Sequence, residues 1–184
     1  MAIPGTWRGI IHRYNACSSE VKVYFSHFPS LAENYPWDVS IAYMFSLVEL
    51  AQNMAIYCGV VKLHKVNGTM ARTAINNQHM TRGVFKELYK SIFGKPLRAS
   101  VVKKIEEAEK IRDKIIHGKS VSEEDKRKAV VDILEYAEAF NSELNTVANF
   151  KPFGSLKGFK GRARSLDKST SRWVLKGVGF EKFQ

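Results

Sequence analysis

Residues 39–61, VSIAYMFSLVELAQNMAIYCGVV, are apolar over a length that could cross a bilayer as a helix. Glu49, Gln52 and Asn53 stand at the centre of that run, where a single acid costs roughly 2.5–3.5 kcal/mol on insertion scales. A helix that lipid disfavours and water cannot solvate has to be covered by the rest of its own chain. Residues 39–65 are therefore expected to form a buried helix of a soluble, non-membrane protein. Asp38 is placed to cap its start, and Asn67-Gly68 ends it.

Three further segments carry helical signals. Residues 73–94, TAINNQHMTRGVFKELYKSIFG, place Val84, Leu88 and Ile92 at spacing four and end on Gly94. Pro96 sits in the first turn of PLRASVVKKIEEAEKIRDKIIHG, and Gly118 closes it. Ser122 with Asp125 resembles a capping box ahead of EEDKRKAVVDILEYAEAFNSELNTVANF. The expectation is an all-α fold, an antiparallel bundle of about four long helices over residues 38–150. Residues 1–37, punctuated by Pro29 and Pro36, read as an N-terminal arm of short helical or extended pieces packed on the bundle. Residues 151–184 change composition and read as a basic, aromatic-containing C-terminal extension. A short helix is expected there from Leu166 to Lys176, capped by Ser165.

Charge is unevenly spread. Of a net +11, the last 34 residues hold +7, with nine basic side chains against two acidic ones. A segregated basic segment suits a polyanion such as RNA, DNA or an anionic surface better than a uniform surplus does. Lys157, Lys160, Arg162, Arg164 and Arg172 can contact phosphates while Phe159 or Trp173 stacks on a base. The alternative is that the aromatic rings pack back on the bundle and the cations merely solvate it. Cys17 and Cys58 form no paired motif, and no apolar leader follows Met1, so a reducing cytoplasm is expected. The five histidines show no zinc spacing, and no Gly-rich phosphate loop or G-x-S-x-G is present. No metal and no cofactor are expected.

The third helical segment contains a local anomaly. On a helical wheel with Ile105 at zero, Leu97, Val101, Val102, Ala108, Ile111, Ile115 and Ile116 fall between about −120° and +60°. Arg112 lands at about −20°, inside the apolar arc. A guanidinium cannot shed its charge and is costly to bury alone. It either pairs with a buried acid, for which Glu49 is the obvious mate, or faces a cleft where an anion binds. His117 lies at the arc's edge beside Asp113, where a histidine also suits the negative end of the helix dipole.

Taken together, Arg112-Asp113-Lys114-Ile115-Ile116-His117 resembles the R-x4-6-H signature of HEPN domains. The acid after the arginine, the apolar pair before His117 and the glycine after it also fit that family. The resemblance covers about residues 38–148. It implies a metal-independent endoribonuclease acting as a homodimer, with Arg112 and His117 as catalytic residues facing their twins and Asp113 orienting the imidazole or pairing with Arg112. It further implies a toxin or antiphage effector with an antitoxin or defence-system partner, although some relatives only bind RNA or nucleotides. Some toxin members carry an AMP-acceptor tyrosine two residues after the histidine. Lys119 stands there instead, a further cation for nucleic acid. The residue types suit the chemistry. Imidazole can take and return a proton near neutral pH, and a guanidinium fork can hold the charge developing on a phosphate attacked by the ribose 2′-OH. The rival reading is a non-catalytic RNA-binding or adaptor bundle.

Overall fold

The computed structural model describes residues 3–156 and 164–180, and every regular element among them is helical. Those residues form nine helices: α1 (Trp7–Asn15), α2 (Ser19–Tyr24), α3 (Phe28–Asn34), α4 (Trp37–Lys62), α5 (Gly68–Asn77), α6 (Arg82–Phe93), α7 (Ala99–Ile116), α8 (Glu123–Ala148) and α9 (Lys168–Gly177). The chain divides into two units assembled from separated stretches. The first unit holds Met1–Leu50, Arg98–Glu143 and Phe153–Ser155; the second holds Ala51–Leu97, Leu144–Pro152 and Leu156–Gln184. α4 and α8 each contribute residues to both.

In the first unit, Ile41, Met44, Phe45 and Val48 of α4 are buried, as are Val101, Ile105 and Ala108 of α7 and Ile133, Tyr136 and Phe140 of α8. The N-terminal segment supplies three short helices rather than extended pieces, burying Ile10, Tyr14, Val21, Phe25 and Phe28. Pro29 lies in the first turn of α3, where its missing N–H is no loss, so it starts a helix instead of breaking one. Phe153 is fully buried among rings, 5.2 Å from Tyr24, 5.6 Å from Phe25 and 6.0 Å from Tyr136 between centroids. Asn141 fixes that backbone: its Nδ2 donates to Phe153 O at 2.9 Å, and its Oδ1 accepts from Phe153 N at 2.8 Å.

In the second unit, Ala55, Ile56, Cys58 and Val60 of α4 are buried, as are Leu88, Tyr89, Ile92 and Phe93 of α6. Gly59 permits their close approach, since a Cβ there would lie 2.6 Å from Ile92 Cγ2 and 2.7 Å from Phe93 Cζ. The segment expected as one helix over 73–94 is two. Gln78 turns extended after α5, and Thr81 caps α6 by accepting from Val84 N at 3.3 Å. α9 begins two residues later than expected, because Asp167 and not Ser165 is its cap. It is tied to the turn before α5: Leu166 N donates to Lys65 O at 2.8 Å, and Asn67 N donates to Ser171 Oγ at 3.0 Å.

Candidate functional site

α7 carries the arginine and histidine, and its start is firmly held. The buried Glu143 carboxylate accepts from Arg98 N at 3.2 Å and from Arg98 Nε at 2.7 Å, placing an anion at the positive end of the helix. Val101, Ile105 and Ala108 are buried along the expected face. Towards the C-terminus that face opens. Ile111 and Ile115 are half-buried, and Ile116 is 62% exposed. Gly118 then adopts φ 66°, and the helix closes with Gly118 N donating to Ile115 O at 3.0 Å and Lys119 N to Lys114 O at 2.8 Å. His117 caps this end and is exposed, as are Asp113 and Lys119.

Arg112 is 23% exposed, and its guanidinium carbon lies 5.0 Å from the centroid of the Phe45 ring. Three carboxylates surround it: Asp113 Oδ1 at 3.3 Å from Nε, Glu109 Oε1 at 3.6 Å from Nη2 and Glu49 Oε1 at 3.7 Å from Nη1. None of these approaches is a hydrogen bond. Nε is fully buried and unsatisfied, because Asp113 is near enough but badly aligned. The pairing with Glu49 considered from the sequence does occur, but as a loose contact with a carboxylate that is 61% exposed. Asp113 lies beside Arg112, and its side chain makes no hydrogen bond to the His117 ring. A guanidinium that meets its carboxylates only loosely, and keeps 23% of its side chain exposed, can offer its outer N–H groups to a ligand oxygen. The neighbouring acids oppose that ligand electrostatically, though two of the three are more than half exposed and so well screened.

The expected phosphate-contacting residues divide. Arg164 and Arg172 are exposed, whereas Lys157, Lys160, Arg162 and the candidate stacking residue Phe159 lie outside the described residues. Of the tail aromatics, Phe153 and Phe180 are buried, and Trp173 is 76% exposed. Chain division sharpens the charge pattern well beyond the tail. Among the described residues, the first unit has 13 Lys and Arg against 15 Asp and Glu, and the second has 12 against two. Residues 51–97 supply seven of those cations with one acid, a bias hidden when the first 150 residues are averaged. Glu109 and Phe45 were also missed as neighbours of Arg112. The first could have been found by its i,i−3 spacing; the second needed the fold.

Among the described residues, no group of three or more His, Cys, Asp and Glu could hold a metal ion. No protein-family model, curated protein or solved structure matches the chain.

Proposed function

We propose that the chain is a metal-independent endoribonuclease of HEPN type, cleaving single-stranded RNA at a site built on Arg112 and His117. The observation that carries this reading is the state of Arg112: a guanidinium on an apolar face, seated on Phe45, with a buried Nε that has no hydrogen-bond partner. Buried polar groups without partners are uncommon and call for an explanation. A phosphate oxygen would satisfy this Nε once the guanidinium turned outward from Phe45. The exposed imidazole of His117, one turn and a half further along, takes the proton of the ribose 2′-OH. The 2′ oxygen then attacks phosphorus, the bond to the 5′ oxygen breaks, and that oxygen takes a proton from imidazolium as it leaves. Arg112 stabilises the charge on the five-coordinate phosphate.

In this reading α4, α6, α7 and α8 form an antiparallel bundle, and two copies meet near the C-terminal part of α7. The half-uncovered apolar face around Ile111, Ile115 and Ile116 supports a partner there. Arg112 and His117 point about 140° apart on one helix, so a twofold arrangement would gather both residue types into one groove. A cytoplasmic toxin or antiphage effector, held by an antitoxin or defence-system partner, is the corresponding biological role. The second reading, a non-catalytic RNA-binding module, is favoured by the three carboxylates around Arg112 and by the basic charge residing on the other unit.

The test is incubation of the parent and His117→Ala with single-stranded RNA and with DNA of the same sequence, in EDTA. Cleavage of RNA alone, lost in the variant, is the expected result. Tight binding by the parent without cleavage selects the binding module.

A further inference from the structure

We propose that the second unit docks a single strand of nucleic acid along α9, with Lys168, Arg172 and Lys176 on its phosphates and Trp173 stacked on a base. The inference goes beyond the cleavage site, because none of these residues belongs to the unit that holds Arg112 and His117. It starts from charge. Among the described residues, twelve basic side chains against two acidic ones make the second unit strongly cationic, and the first unit has a slight acidic excess. A field of that sign attracts a polyanion.

α9 gives the field a shaped surface. Ser171 and Leu175 face inward and are fully buried, and Ser171 is pinned by Asn67. On the helical wheel Trp173 then points directly outward, and Lys168, Arg172 and Lys176 run along the flank, about 40°, 80° and 120° from the buried direction. Lys168, Arg172 and Lys176 follow at spacing four, about 6 Å apart along the axis. All three are exposed, and none has an ion-pair partner among the described residues. The nearby acid, Asp167, is committed to capping, accepting from Thr170 N at 3.0 Å and from Thr170 Oγ1 at 2.6 Å. Trp173, one turn from Lys176 and on the outward side of this ridge, is 76% exposed. A large ring left in water near exposed cations is the pairing that single-stranded nucleic acid uses, through stacking and phosphate contact. A membrane is the weaker occupant. The apolar side of α9 is turned into the protein, so Trp173 stands without the apolar stripe an interfacial helix needs.

The experiment uses the full chain carrying His117→Ala, in EDTA, with a fluorescein-labelled 12-nucleotide oligouridine titrated across a NaCl series. Replacing Lys168, Arg172 and Lys176 together by Gln should lower the slope of log K against log salt by about 2, since each single-strand phosphate contact contributes about 0.7. Trp173→Ala should weaken binding about tenfold with the slope kept, and Trp173→Phe should retain most of the affinity. Duplex RNA of equal length should be indifferent to Trp173→Ala. All four side chains are exposed, so the helical circular dichroism of the variants should match the parent's. Unchanged affinity and slope in both sets of variants would overturn the proposal. So would a parent that binds phosphatidylserine vesicles but no oligouridine. Binding with the expected pattern supports docking even if the parent never cuts RNA, which separates this inference from the ribonuclease reading.

Discussion

Replacing Arg112 by Met separates a residue kept for folding from one kept for chemistry. Its three carboxylate contacts, at 3.3, 3.6 and 3.7 Å, lack hydrogen bonds, and Glu49 and Asp113 are 61% and 53% exposed. Ion pairs of that kind contribute about 0–1 kcal/mol each. The cation over Phe45 adds about 0.5–1 kcal/mol. Methionine keeps an aliphatic stem on the apolar face and can rest its sulfur on the same ring. With the methionine contacts offsetting part of these terms, the expected net cost is about 0–2 kcal/mol, at most about 4–8 °C in Tm for a chain of this size. Glu143→Ala is the contrasting variant. That carboxylate is 3% exposed and accepts two bonds from Arg98, at 2.7 and 3.2 Å, so about 2–4 kcal/mol should be lost. Urea unfolding followed by far-ultraviolet circular dichroism measures both. If Arg112→Met costs about 3 kcal/mol or more, Arg112 is a structural ion pair, and the reason for assigning it to phosphate binding disappears.

Other expectations follow from single packing and burial features. Asn141→Ala leaves the N–H and C=O of Phe153 without their partner in the core and should cost about 2–4 kcal/mol in the same urea experiment. Gly59→Ala forces a methyl against Ile92 and Phe93 at 2.6 and 2.7 Å, and a loss of about 1–3 kcal/mol is expected. Burial, aided by Glu138, pushes the Cys17 thiol up to about 11, and burial pushes Cys58 up to about 12. Both thiols therefore stay protonated in the folded chain at pH 8, and iodoacetamide should alkylate them at least about 100-fold more slowly than a peptide cysteine. Their contribution to stability is intact below the ordinary thiol range, about 8.5, and falls as pH rises towards 11 and 12, because unfolded thiols ionise first.

The helical class and the existence of α4, α7 and α8 were legible because each is long enough to repeat its apolar spacing many times. The bounds of α4 were not: it starts at Trp37 ahead of Asp38 and ends at Lys62, and Asn67-Gly68 opens α5 instead of closing α4. α1, α2 and α3 were not legible, since helices of six to nine residues show barely two turns of any pattern. The break between α5 and α6 contains neither proline nor glycine, so only the Thr81 cap betrays it. On α7 the wheel ranked the buried face correctly as far as Ala108. Beyond that point it could not tell core from open surface, and Ile116 proved exposed. The half-way state of Arg112 was likewise beyond one-dimensional reading. A wheel gives the direction of a side chain, but the Phe45 ring and the loose Glu49 contact come from another helix. The charge segregation was hidden because the second unit is gathered from three separate stretches.

The central claim, that Arg112 and His117 direct a 2′-OH attack, is tested most directly by the chemistry of the cut ends. Mass spectrometry of oligoribonucleotide fragments made by the parent in EDTA should show a 2′,3′-cyclic phosphate on the 5′ fragment and a free 5′-OH on the other. Arg112→Met and His117→Ala should each form these ends at least about 100-fold more slowly. Fragments ending in 3′-OH and 5′-phosphate, or the same cyclic ends formed at the parental rate by His117→Ala, would contradict the account.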